Sequence, residues 1–138
     1  MVAQRERILL VDDDESIRQV VSIFLTDEGY EVAGAGDGQA ALDLLAEFQP
    51  DLILLDLRMP VLDGWDFARR YRAMPGPHAP IIAFVAALSP RTLQAEVGAA
   101  VLLEKPFDLE ELLTALDQAK TYMGVPTAAQ SHANLASL

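Results

Sequence analysis

The chain contains no cysteine. That excludes a disulfide-stapled scaffold, cysteine-ligated zinc, iron–sulfur clusters and thiol nucleophiles. It also fits a reducing compartment, and the expected location is cytoplasmic. Long apolar stretches are absent too. The longest uninterrupted run, Ile81 to Leu88, has eight residues, whereas a membrane span needs about 20. The four apolar residues Ile8 to Val11 that follow the N-terminus are too few for a signal-peptide core. Basic residues are scarce: 10 Lys and Arg stand against 21 Asp and Glu, a formal net charge of −11. Such a chain repels nucleic acid and anionic membranes, so neither is an expected partner.

What is present is ordinary globular material. The 138 residues are 51% hydrophobic, enough for one domain with a sizeable core. Short apolar runs alternate with helical patterns. Ile8–Val11, Leu52–Leu55 and Ile81–Ala87 are apolar throughout, and Glu31–Ala35 and Val101–Leu103 read as two further short strands. Between them, Ile17, Val20, Val21, Phe24 and Leu25 fall on one helix face, as do Ala41, Leu44, Leu45 and Phe48. A third helix carries Trp65, Phe67, Ala68 and Tyr71; a fourth, Leu93 and Val97; a fifth, Leu109, Leu112, Leu113 and Leu116. Asp63, Ser89 and Asp108 are the expected caps of the last three, and Gly29, Pro50 and Gly98 are expected helix stops. Strands without polar alternation are strands covered on both faces. Five strand–helix units of this kind predict an α/β fold, a five-stranded doubly wound parallel sheet. The expected domain is residues 1–122, followed by a disordered tail or linker remnant at 123–138.

In such sheets the chemistry sits beyond the carboxyl ends of the strands. The first strand is followed by Asp12, Asp13, Asp14 and Glu15, the third by Asp56, and the fifth by Glu104, Lys105 and Pro106. Two carboxylates about 4 Å apart repel by roughly 4 kcal/mol at an effective dielectric near 20. Gathering Asp12, Asp13 and Asp56 therefore requires a proton or a cation. Oxygen donors alone suit Mg²⁺, and neither His78 nor His132 lies near a strand end, which disfavours zinc. Carboxylates, Mg²⁺ and a lysine together suggest phosphoryl transfer, with Asp56 as the nucleophile. Asp14 and Glu15 read as a solvated helix entry, Trp65 and Tyr71 as packing residues, and His78 as a loop residue.

The stretches Ile8–Glu15, Leu54–Gly64 and Lys105-Pro106-Phe107, in this order and spacing, resemble the receiver domain of bacterial two-component response regulators. The resemblance covers roughly residues 7–122. It implies a flavodoxin-like (βα)5 fold in which Asp56 accepts a phosphoryl group from a sensor histidine kinase or a phosphotransfer protein. It further implies that Asp13, Asp56 and the Arg58 carbonyl ligate Mg²⁺ and that Asp12 holds the ion mainly through water. Lys105 would pair with the phosphoryl group, and the Lys105–Pro106 bond would be cis. The output would be a downstream protein partner, with a homodimer as one arrangement the family uses. Such a protein is modified and demodified at one residue and is not a turnover enzyme.

Two positions depart from the family. Val85 stands where a Thr or Ser normally ends the fourth strand, and Leu102 stands where an aromatic normally precedes the lysine by three. Valine has threonine's shape but donates no hydrogen bond, an interaction of about 1.5–3 kcal/mol to a charged group. The expectation is that phosphorylation survives while its readout through the last two helices and the last strand is weak or unusual. A rival reading is a degenerate receiver, a protein-binding module indifferent to phosphate. Val85 and Leu102 favour it, and the complete acid–lysine set opposes it. A phosphatase of the haloacid-dehalogenase type needs a second Asp two residues past the nucleophile, where this chain has Arg58.

Overall fold

A computed structural model describes residues 5–121 of the chain. Its elements alternate as expected: β1 Arg7–Val11, α1 Glu15–Asp27, β2 Glu31–Ala35, α2 Gly38–Leu44, β3 Leu52–Asp56, α3 Gly64–Ala73, β4 Ile81–Ala86, α4 Thr92–Val97, β5 Val101–Lys105 and α5 Leu109–Thr121. The five strands form one parallel sheet in the order β2-β1-β3-β4-β5. The order reverses between β1 and β3, and the crevice beyond their carboxyl ends is where such sheets bind ligands. The tail at 123–138, and the domain boundary at 122, lie outside the described residues. Among the described residues no helix is long and apolar enough to cross a membrane.

Strand alternation sorts the core into two layers. Ile8, Leu10, Leu52, Leu54, Ile82, Phe84 and Leu103 pack with Val21, Leu25, Leu112 and Leu116 of α1 and α5. Leu9, Val11, Ile53, Leu55, Ile81, Ala83 and Val85 pack with Ala41, Phe67, Ala68, Tyr71 and Val97 of α2, α3 and α4. This two-sided burial is why the strands carry no polar alternation. Asp12, Asp56 and Lys105 continue the alternation of the first layer (8, 10, 12; 52, 54, 56; 101, 103, 105). The period of two therefore delivers three charged side chains to the α1/α5 side of one sheet edge.

Aspartates start most helices. The carboxylates of Asp14, Asp37 and Asp63 accept from the backbone N–H of Ile17, Ala40 and Asp66, at 3.2, 2.8 and 2.9 Å. At α5, Asp108 accepts from Glu111 N–H while Glu111 accepts from Asp108 N–H, a reciprocal capping box. Gly29 and Gly98 end α1 and α4 with φ of +100° and +70°, which only glycine adopts without strain. Arg72 of α3 then closes α4 from outside, donating to the carbonyls of Val97 and Gly98.

Four local expectations are corrected. Helix α2 ends at Leu44, well before Pro50. Its last carbonyls are taken up by tight turns, with Ala46, Glu47 and Phe48 N–H donating back to Asp43 and Leu44. Ser89 does not cap α4, which begins at Thr92 after Arg91 and has no side-chain cap; Pro90 instead lends its carbonyl to Leu93 N–H. Val20 is 59% exposed although it falls on the apolar stripe of α1. The core layer beneath α1 takes up Ile17, Val21, Phe24 and Leu25, and Val20 sits at the rim of a cleft shared with Pro106, Phe107 and Leu109. Leu109, in the first turn of α5, is likewise exposed rather than part of that helix's buried stripe.

Candidate functional site

Asp12 follows β1, and its side chain is fully buried. One carboxylate oxygen accepts from Asp14 N–H at 2.9 Å, and the other accepts from Lys105 Nζ at 2.9 Å. Asp56 is the last residue of β3 and is also buried. It accepts from Lys105 Nζ at 3.3 Å and from the backbone N–H of Arg58 at 3.3 Å. Asp13 is exposed, yet one carboxylate oxygen each of Asp12, Asp13 and Asp56 lies within 4.8 Å of the others. Lys105, at the end of β5, thus bridges two carboxylates from strands 93 and 49 residues away, with its ammonium 5.6 Å from the Phe84 ring centroid.

The charge balance is incomplete. Burial, and then the neighbouring Asp12 charge, push the Asp56 carboxyl above its ordinary value, against the pull of Lys105 and the Arg58 N–H. For Lys105, burial works downward but is outweighed by the hydrogen bond and charge of Asp12 and then of Asp56, so its ammonium is held above its ordinary value. Lys105 leans toward Asp12, and Asp56 receives the smaller share of its charge. Three carboxylates with one ammonium leave room for a hard cation, and an all-oxygen donor set of this kind suits Mg²⁺.

The loop after Asp56 is built around glycine and strain. A Cβ on Gly64 would meet the Asp56 carbonyl oxygen at 2.5 Å, so only glycine lets α3 start against the end of β3. Gly64 N–H donates to Leu57 C=O at 3.0 Å. Before it, Leu62 N–H donates to Pro60 C=O at 2.8 Å around Val61, whose φ is +69°. That is the positive-φ form of the γ-turn, rare and strained. The Lys105–Pro106 peptide is cis.

A cleft of about 440 Å³ opens beside these groups, lined among others by Asp56, Arg58, Trp65, Val85, Leu93 and Lys105. Val85 is buried at the end of β4, and Leu102 is half-buried in β5. Both belong to the α2/α3/α4 layer, opposite the face that carries Asp12, Asp56 and Lys105. The Arg58 side chain is exposed, and only its N–H reaches Asp56. The sequence-predicted carboxylates and lysine are therefore brought together, whereas Val85 and Leu102 stand to one side of them. His78 contacts Met74 C=O and the Tyr71 ring, away from the site. His132 lies outside the described residues. One contact was not anticipated: Arg18 Nη1 of α1 donates to the Asp12 carbonyl at 2.7 Å. Its only sequence signal is a cation less than one helical turn past the acidic run.

Comparison with known proteins agrees with this geometry. Residues 8–117 match the profile of the response regulator receiver domain. Over 112 residues the chain is 43% identical to the response regulator MprA of Mycolicibacterium vanbaalenii, a match covering 80% of this chain and 48% of that protein. The chain thus spans about half the length of the curated relatives it matches. Among solved structures, the chemotaxis response regulator CheY4 of Vibrio cholerae superposes with a TM-score of 0.75 at 36% identity, covering 84% of this chain and 99% of the other. A response regulator receiver domain protein of Clostridium thermocellum gives 0.74 at 28% identity, covering 84% and 94%. The fold is the flavodoxin-like one of these neighbours, and the chain belongs to the response regulator receiver domain family of two-component systems.

Proposed function

We propose that this domain accepts a phosphoryl group on Asp56, with Mg²⁺ bound, from a sensor histidine kinase or phosphotransfer protein, and passes the signal on through a protein partner. The observation that carries this reading is Lys105 Nζ, held between Asp12 at 2.9 Å and Asp56 at 3.3 Å with Asp13 alongside. Asp13, Asp56 and the Arg58 carbonyl would hold the ion directly, and Asp12 would hold it through water. When bound, the ion supplies positive charge that offsets the carboxylates and the phosphoryl oxygens. An oxygen of Asp56 forms the new bond to phosphorus as the donor's bond to phosphorus breaks. The Arg58 N–H and the Lys105 ammonium already point at Asp56 and are placed to orient it and to pair with the incoming group. Val85, at the rim of the cleft, has no hydroxyl to add to this set. On this reading Asp56 is a carboxylate modified and demodified in place rather than the centre of a turnover enzyme, in a protein expected to act in the cytoplasm.

Incubation with acetyl phosphate and Mg²⁺, followed by intact-mass measurement, tests the proposal. The expected result is the mass of one added phosphoryl group in wild type and none in Asp56→Asn or without the metal. Wild type that stays unmodified favours a second reading, a phosphate-independent protein-binding module, for which Val85 and Leu102 are the supporting observations.

A further inference from the structure

Among the described residues, the Arg18 side chain hydrogen-bonds nothing on its own helix. Its side chain leaves α1, crosses the end of β2 and donates from Nη1 to the Asp12 carbonyl at 2.7 Å. The Asp12 N–H is already spoken for, donating to Ala35 C=O at 3.1 Å. The main chain of Asp12 is therefore held on both sides, by β2 through its N–H and by α1 through its C=O.

That carbonyl belongs to the peptide unit joining Asp12 to Asp13. Because a peptide unit is planar, fixing its oxygen fixes the direction in which the Asp13 main chain departs. Asp13 needs such help. Its carboxylate is exposed, and among the described residues nothing hydrogen-bonds it, although it belongs to the three-carboxylate cluster.

The path of Arg18 also bears on Gly36. A Cβ there would lie 3.3 Å from Nη1, closer than side chains normally pack, whereas one on Gly34 would sit 3.8 Å from Arg18 Cδ in ordinary contact. Gly36 has no positive φ that would call for glycine on backbone grounds. It leaves room just past β2 for the guanidinium.

We propose that Arg18 is a positioning residue for the cation site: it locks the Asp12–Asp13 peptide so that Asp13 stays beside Asp12 and Asp56, and Gly36 leaves room for its guanidinium. This inference rests on the reading of the site as a Mg²⁺-dependent phosphoacceptor. It makes a prediction opposite in sign to a purely electrostatic role. A guanidinium close to the cluster repels a divalent cation, so losing its charge alone strengthens Mg²⁺ binding. Losing a lock on Asp13 weakens it.

The test is a Mg²⁺ titration of the full chain, read by calorimetry and by the fluorescence of Trp65, the single tryptophan, which lines the cleft beside Asp56. Arg18→Met is expected to weaken Mg²⁺ binding about tenfold, the usual scale for groups that orient metal ligands. Arg18→Lys restores a donor and recovers part of the loss. Gly36→Ala keeps every charge and crowds Nη1, and is expected to weaken binding by a smaller factor with little change in melting temperature. Unchanged or tighter binding in Arg18→Met overturns the proposal. If that variant does not fold, unchanged affinity in Gly36→Ala overturns it instead. Failure of the underlying reading shows separately, as wild type whose Mg²⁺ binding is absent or indifferent to Asp13→Asn.

Discussion

Lys105 sits closer to Asp12 than to Asp56, its ammonium 2.9 Å from one carboxylate and 3.3 Å from the other. The lysine is therefore first a counter-ion to a fully buried acid and only second a partner of Asp56. Removing one member of a buried pair costs about 3–5 kcal/mol, and the 29% exposure of the Lys105 side chain moves the expectation below that. Lys105→Met should destabilise the metal-free protein at neutral pH by about 2–3 kcal/mol in urea unfolding. A loss within error of zero would show that the pair contributes no net stability. The folded ammonium is held above its ordinary value. Its contribution is thus complete below the unfolded lysine value, about 10.4, and disappears as pH rises through the higher folded one.

Asp56 titrates with the opposite consequence. Burial and the Asp12 charge raise it above its ordinary 3.8. Its ionised form therefore costs folding free energy, absent below the unfolded value and complete once pH exceeds the folded one. In chelator, Asp56→Asn should melt a few degrees higher than wild type near pH 7, and the gap should close on acidification toward about pH 4. Equal melting temperatures across that range would show that Lys105 and the Arg58 N–H compensate the buried charge fully.

Val85 can be tested as a missing donor. It lines the same cleft as Asp56 and Lys105 but offers only methyl groups. With beryllofluoride as phosphate mimic, Val85→Thr is expected to enlarge the chemical-shift changes at residues 86–105 relative to wild type. Full-sized shifts already present in wild type would mean that coupling to α4 and β5 runs without a hydroxyl there.

Val61 holds an unfavourable conformation at an exposed position, 82% accessible with φ of +69°. A positive-φ γ-turn strains an L-residue by roughly 1–3 kcal/mol, and β-branching adds to it. Val61→Gly should stabilise the protein by about 1 kcal/mol, measured as a higher urea midpoint at constant slope. Leu88, 99% exposed with φ of +67° in the loop after β4, is expected to behave alike with glycine or asparagine. No gain at either position would mean that the loops relax at little cost.

The parts of this molecule readable from the chain are those with a short-range cause. Apolar runs named the strands because both faces are covered, and Asp63 and Asp108 announced helix starts because their carboxylates serve N–H groups only three residues on. Asp12, Asp13, Asp56 and Lys105 were legible because each sits at a strand end and parallel sheets collect those ends. Arg18 was not, since its role depends on where β2 passes and on Gly36, far along the chain. Nor was the exposure of Val20, because a helical stripe states which face is apolar and not how wide a strip the sheet covers. Ser89 failed as a cap for a comparable reason. The chain makes an extra turn after β4 before α4 begins.

Every strand pairing here is parallel, and the two carboxylates bonded to the lysine sit just past β1 and at the end of β3 while the lysine ends β5. No nascent stretch and no proteolytic fragment that lacks the last strand can assemble the pocket. Circular permutants that keep all five strands should retain it, while fragments cut before Val101 should be inert toward metal and phosphodonor alike. Competence for the proposed chemistry would thereby report that the polypeptide has finished folding.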